Sequence, residues 1–161
     1  MMIIRPASLS DANAIWSILE PTIRAGETYT LPRDMDRQQA LDYWFSSENT
    51  VFVAEEGEEI IGTYYLRPNQ KGGGVHVCNC GYMTAAAASG RGVARTMCTH
   101  SLEHAKSLGF RAMQFNFVVS TNERAVHLWH KFGFETVGRL PGAFLHPRLG
   151  YVDALVMFRN F

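Results

Sequence analysis

The sequence predicts a single mixed α/β (α+β) domain over residues 1–161, and three patterns support that reading. Stretches with apolar residues at helical spacing alternate with short extended runs. Two of these runs, Val51 to Ala54 and Ile60 to Leu66, flank an acidic turn and read as a hairpin. Midway along the chain, a strand-like run leads through Gly81, Gly90 and Gly92 into a long helical pattern.

Taken in order, Met2 to Arg5 reads as a short first strand. Ser8 with Asp11 three residues on is a variant of the capping box. Ala12, Ile15, Trp16, Leu19 and Ile23 then share one helical face. Pro21 is expected to kink or end that helix, because it has no N–H and its ring crowds the preceding turn. Ala25 to Arg33 is irregular, and Asp36 caps a second helix with Gln39 reaching back. The apolar face of that helix is Ala40, Leu41, Trp44 and Phe45.

The hairpin follows, and the charges of Glu55-Glu56-Gly57-Glu58-Glu59 read as solvated charge at its tip. Asn69 to Gly74 is a polar loop, and Val75 to Thr84 is the next strand. Ala94, Cys98, Leu102 and Ala105 recur at spacings of four, four and three, flanked by Met97 and Leu108, and Gly109 stops this helix. Ala112 to Val119 is a strand. Ser120 with Glu123 is read as the cap of a last helix with Ala125, Leu128, Trp129 and Phe132 on its buried face, ended by Gly133. Phe134 to Arg139 and Tyr151 to Phe158 are the final strands, joined by a loop with Pro141, Gly142 and Pro147. The order is β-α-α-β-β-β-α-β-α-β-β.

Composition excludes several classes. A chain of 161 residues with 47% hydrophobic content suits one domain, burying about 70% of its extended surface. The formal charge of zero argues against nucleic acid or an acidic membrane, which need a basic field. No run approaches the roughly 18 apolar residues of a membrane span, and the N-terminus lacks the apolar core of a signal peptide. Three cysteines, Cys78, Cys80 and Cys98, suggest a reducing compartment, hence the cytoplasm. His76, Cys78 and Cys80 alternate along one strand without the turn-separated pairs of a zinc site, so no metal is expected.

The stretch from Ser89 to Arg95 carries the first functional signal. A helix start offers unpaired N–H groups and a partial positive charge, and glycine lets an anion approach the backbone closely. The chemistry is that of phosphate or pyrophosphate binding; the plainer alternative is an ordinary glycine-bearing helix start. A Walker loop is excluded, since Gly-Lys-Ser/Thr is missing. A dinucleotide fingerprint is excluded too, since only Gly90 and Gly92 are present and they lie mid-chain.

What the stretch resembles is the pyrophosphate loop of the GCN5-related N-acetyltransferases, Gln/Arg-x-x-Gly-x-Gly/Ala. Gly92-Val93-Ala94 fits its second half, with Ser89 where Gln or Arg is usual and Arg91 and Arg95 as alternative sources of charge. Residues Asn122 to Phe134 resemble the family's later motif, Asn-x-x-Ala-x-x-Leu-Tyr-x-x-x-Gly-Phe. The resemblance implies a mostly antiparallel central sheet splayed into a V and flanked by about four helices, with acetyl-CoA as cosubstrate. It also implies the topology, which periodicity alone leaves open.

Several site residues follow from the resemblance. The loop Ser89, Gly90, Arg91, Gly92, Val93, Ala94 and Arg95 would hold the diphosphate. The free backbone of Tyr82, Met83 and Thr84 would pair with the pantetheine arm, and an N–H near Thr84 would face the thioester oxygen. Asn122 matches a position whose amide reaches the coenzyme arm, or else it makes local bonds at a helix start. The position of the family's tyrosine acid is Trp129, whose indole is no useful acid. His127, His130, Tyr82 and Tyr151 are then candidates for protonating the thiolate, with solvent the alternative. No carboxylate stands out as a base; Glu27 lies in the acceptor segment but reads as an exposed loop charge.

Asn79 and Asn116 sit inside strands, where Asn is disfavoured. They would either bind or orient the acceptor in one cleft or satisfy a strand bulge. With Asn122, their pattern resembles the fungal acetyltransferases of proline analogues such as azetidine-2-carboxylate. The expected activity is acetyl transfer to the amine of a small molecule, an amino acid or proline analogue among the candidates. A protein N-terminus or lysine as acceptor, and an acyl-CoA sensor without turnover, are the alternatives. The final strand is an edge of the kind through which family members pair, so a homodimer is the expected assembly.

Overall fold

Seven strands and four α-helices make up the computed structural model, which describes residues 1–161. They are β1 (Met2–Pro6), α1 (Ala12–Ala25), α2 (Arg37–Trp44), β2 (Thr50–Glu56), β3 (Glu59–Pro68), β4 (Val77–Thr84), α3 (Val93–Ser107), β5 (Ala112–Val119), α4 (Glu123–Lys131), β6 (Glu135–His146) and β7 (Gly150–Asn160). The sheet order is β1-β2-β3-β4-β5-β7-β6, antiparallel except between β4 and β5, so the final strand β7 is not the expected edge but lies inside the sheet, with β6 at its edge.

Strand alternation builds two cores, one on each face. Val51 and Val53 of β2, Tyr65 of β3 and Met83 of β4 pack under α1 and α2 with Ile15, Leu19, Ile23 and Trp44. Phe52 and Ala54, Tyr64 and Leu66, and Cys78 and Cys80 turn the other way, toward Met97, Cys98 and Leu102 of α3 and Trp129 of α4. Cys78, Cys80 and Cys98 are thus core thiols, and burial pushes Cys78 and Cys98 up to about 12.

The feature that makes the site is a failure of pairing. β4 and β5 are in register only at Val77↔Ala112 and Cys78↔Met113, after which they part. The last bridge is a side chain: Asn79 Nδ2 donates to the Gln114 carbonyl at 2.9 Å. On the far side β5 bulges between Phe115 and Val118. The V has its apex at Cys78 and its mouth at the head of α3.

Several local expectations are corrected. α1 runs through Pro21 to Ala25, its inner face of Ile15, Ile18, Leu19 and Ile23 buried, so packing outweighs a proline penalty of roughly 3 kcal/mol. Val93, not Ala94, is the first buried residue of α3, and Leu108 is 56% exposed past its end. The cap of α4 is Asn122, not Ser120; Asn122 Oδ1 accepts from the Ala125 N–H at 3.4 Å, while the Ser120 N–H donates to the Asp153 carbonyl. β4 begins at Val77 rather than Val75, after a 3-10 turn over Gly72–Gly74. The expected loop at Pro141 and Gly142 is instead a bulge within β6. Asp153 of β7 pins it, accepting from the Gly142 N–H at 2.9 Å and from Arg139 at 2.8 Å. The turn lies at Pro147–Leu149, where His146 Nδ1 accepts from the N–H groups of Arg148 and Leu149.

Candidate active site

A cleft of about 850 Å³ opens where β4 and β5 part, within the range of small-molecule sites. It is lined by Tyr82, Met83, Thr84, Ser89, Gly90, Gly92, Val93, Ala94, Arg95, Asn79, Asn116 and Asn122, which are the sequence-derived candidates with one exception. Arg91 is not on its wall, and its guanidinium pairs with Glu56 at the hairpin tip. The acidic tip therefore holds a charge that was assigned to the coenzyme.

At the mouth, the chain turns through Gly92, whose φ of +80° is the left-handed conformation glycine adopts without strain. A Cβ at Gly92 would meet no heavy atom within 4 Å, so the space over this backbone is open. The first i→i−4 bond of α3 is from the Thr96 N–H to the Gly92 carbonyl. The amides of Gly90, Gly92, Val93, Ala94 and Arg95 donate to no backbone carbonyl. A cluster of N–H groups at a helix head is an anion site by its own geometry.

Along the cleft wall, the Ala85 N–H donates to the Ile61 carbonyl at 2.9 Å. In the Thr63↔Met83 and Tyr65↔Gly81 register, alternation sends the Met83 and Gly81 amides toward β3 as well. The amides of Tyr82 and Thr84 therefore face the cleft, on an edge that β5 has left. The Tyr82 carbonyl on that edge accepts from the Tyr29 hydroxyl at 2.8 Å. Burial pushes the Tyr29 phenol far above its ordinary range, so it acts as a neutral donor. Gly81 lies beneath Tyr65, whose ring carbon would be 2.5 Å from an added Cβ. Glycine is needed there for close approach.

The proposed proton donors disperse. The Tyr82 hydroxyl lies within hydrogen-bond reach of Ser101 Oγ at 2.6 Å, on the α3 side of the sheet, and burial raises its pKa well above normal. Tyr151 is 75% exposed on the last hairpin. His130 Nδ1 is 3.0 Å from the Phe134 carbonyl, so it caps the helix end and does not line the cleft. His127 lines the cleft. Trp129 lines it too, its ring 5.2 Å from Tyr82 and 4.9 Å from Phe115. Glu27 pairs with Arg148 across from the β6–β7 turn. Asn116 sits in the β5 bulge and also lines the cleft, its Nδ2 donating to Asn69 Oδ1 at 2.7 Å.

Arg124, Lys131, Tyr29 and Arg67 of β3 also line the cleft and went unseen in the sequence. Arg124 reaches from α4 to Ser89 Oγ at 3.4 Å, and Lys131 joins it on the cleft wall. The spacing Arg124, His127, Leu128, Lys131 is one helical stripe and was the available signal. Tyr29 lies in an irregular segment and gave none.

Residues 13–134 match the family model of the acetyltransferase (GNAT) family. The chain belongs to that family. It is an acetyl-CoA-dependent N-acetyltransferase. N-acetyltransferase aca1 of Schizosaccharomyces pombe is 28% identical, over 86% of this chain and 75% of its own length. A GCN5-related N-acetyltransferase from Kribbella flavida superposes with a TM-score of 0.95 at 38% identity, covering 99% of this chain and 98% of the other. The putative acetyltransferase yncA of Salmonella typhimurium, solved with acetyl-CoA, shares the fold with a TM-score of 0.85 at 21% identity, covering 99% and 93%.

Proposed function

We propose that this GNAT enzyme transfers the acetyl group to the amine of a small molecule by direct attack within the cleft. The observation that supports this most is the continuity of three features in one cavity: the free amides at the head of α3, the unpaired edge of β4, and an asparagine-lined inner end. In this reading Ser89, Gly90, Gly92, Val93, Ala94 and Arg95 take the diphosphate, with Arg124 adding charge. Tyr82, Met83 and Thr84 supply the edge for the pantetheine arm, and the Thr84 N–H polarises the thioester carbonyl. Asn122 spends Oδ1 on the cap and keeps its NH₂ for the coenzyme arm. Asn79 and Asn116 orient the acceptor.

The transfer forms a C–N bond and breaks the C–S bond. CoA leaves as a thiolate, which takes its proton from solvent. No Asp or Glu lines the cleft, which leaves His127 and water to take the proton of the amine. The pattern of Asn79, Asn116 and Asn122 supports an acceptor of the amino-acid or proline-analogue type. Work in the cytoplasm fits the three unpaired cysteines. A homodimer through the last hairpin fits its apolar exposure, with Leu145 at 60%, Leu149 at 62% and Tyr151 at 75%.

The test is CoA release by the purified protein at saturating acetyl-CoA, with small amines and amino acids beside short peptides. Release driven by small amines and not by peptides is expected. Release driven by peptides alone would move the acceptor to proteins. Binding of acetyl-CoA with no release by any amine would favour a sensor, the reading that Trp129 in the tyrosine position suggests.

A further inference from the structure

The charge pattern of the cleft sets one residue apart, given the transfer reading above. The fixed charges on its wall are Arg67, Arg95, Arg124 and Lys131, and no Asp or Glu lines it. Arg95 lies in the first turn of α3 and Arg124 reaches Ser89, both at the end assigned to the phosphates, while Lys131 is the last residue of α4. Arg67 stands apart, near the end of β3.

The register places Arg67 opposite Asn79, so both side chains leave the face of the sheet that α1 and α2 cover. Asn69 and Asn116, bonded to each other at 2.7 Å, line the same end. Arg67 Nη2 donates to Glu48 Oε2 at 2.8 Å, and Nε and Nη1 donate to no group of the chain. Glu48 is 44% exposed and shared with Lys71 at 3.6 Å, so water weakens its hold on Arg67.

We infer that Arg67 is the residue that binds the carboxylate of the amino-acid or proline-analogue acceptor proposed above, and so selects for acceptors with a free carboxyl group. Two consequences of the one-sign lining lead there. An anionic group entering the inner end meets a cation with unused donors and three amides. An ammonium entering it meets no counter-charge, so the field favours loss of its proton and leaves the neutral amine that attacks. A zwitterion suits both halves of this pattern. A polyamine or a lysine side chain brings a second cation or lacks the anion, and is disfavoured.

The experiment compares acids with their own carboxamides. L-proline, L-azetidine-2-carboxylic acid and L-alanine are each assayed against the carboxamide, with spermidine alongside, by CoA release on the wild-type protein and on R67Q and R67K. The carboxamide has the less basic amine, so without an anion site it would be the better acceptor. The wild type is expected to prefer each acid that it turns over. In R67Q the KM for that acid should rise about 10- to 100-fold with kcat within about threefold, while acetyl-CoA affinity and turnover of the carboxamide stay unchanged. R67K should recover part of the loss. Equal turnover of acid and carboxamide by the wild type, or an unchanged KM for the acid in R67Q, overturns the inference and leaves transfer to small amines standing. Turnover of none of the panel overturns both.

Discussion

Gly92 meets two demands at once. Its φ of +80° turns the chain into α3, and its missing side chain leaves the space over five free amides open. The two roles separate by substitution. Gly92→Ala adds only the left-handed strain, which costs about 1 kcal/mol. Gly92→Glu adds a carboxylate over the amides, where it would compete with and repel a diphosphate. Acetyl-CoA affinity by calorimetry should fall little in Gly92→Ala and by about 100-fold or more in Gly92→Glu, with both variants folded by circular dichroism. Equal affinities in the two variants would remove the diphosphate from this loop. Tyr29 makes a different point about single residues: its hydroxyl holds the Tyr82 carbonyl from a loop 53 positions away, a relation no local pattern announces.

At the scale of elements, the β1–α1 junction has its own electrostatic lock. Asp11 at the head of α1 accepts from both terminal nitrogens of Arg5 on β1 at 2.9 Å and from the Ser8 N–H at 2.8 Å. The Arg5 guanidinium, opposed by burial and helped by the Ser8 amide, holds the Asp11 carboxyl down to about 2. A carboxyl whose pKa falls on folding adds stability above its unfolded value near 4, and that stability is lost as pH falls through about 2. Asp11→Asn should therefore lower stability by about 1–2 kcal/mol at pH 7, with the gap to wild type closing between about pH 4 and 2 in urea titrations. A gap that is constant with pH would assign the loss to packing.

Elements whose cues are local were legible: Asp36 with Gln39 at α2, Gly57 in the hairpin, and the glycines before α3. The misreadings have non-local causes. Pro21 is tolerated because Ile18, Leu19 and Ile23 are buried against the sheet. The Pro141-Gly142 loop is drawn into β6 by Asp153 on the partner strand. Of the site, the helix-head loop was legible from its glycines and the helical pattern after them, and the β4 edge only through the family resemblance. Arg67 was not, because its place depends on a β3–β4 register and on the separation of β4 from β5.

For the whole molecule, net charge and site charge diverge. The chain sums to zero, yet the fixed charges that line its main cleft are all cationic. Acidic residues stand outside it, Glu56 on Arg91, Glu48 on Arg67 and Glu27 on Arg148. A neutral composition argues against polyanionic partners and is still compatible with a small anionic cosubstrate held in a cleft. The sheet provides that cleft by giving up β4–β5 pairing beyond Cys78, so the same break that exposes strand edge also makes room for a ligand. The most direct test of this arrangement is amide hydrogen exchange with and without acetyl-CoA. Slower exchange is predicted in two separate segments, residues 82–84 on β4 and residues 90–95 at the head of α3. Protection confined to other segments, or to only one of these two, would contradict a coenzyme lying along the open edge with its phosphates on the helix.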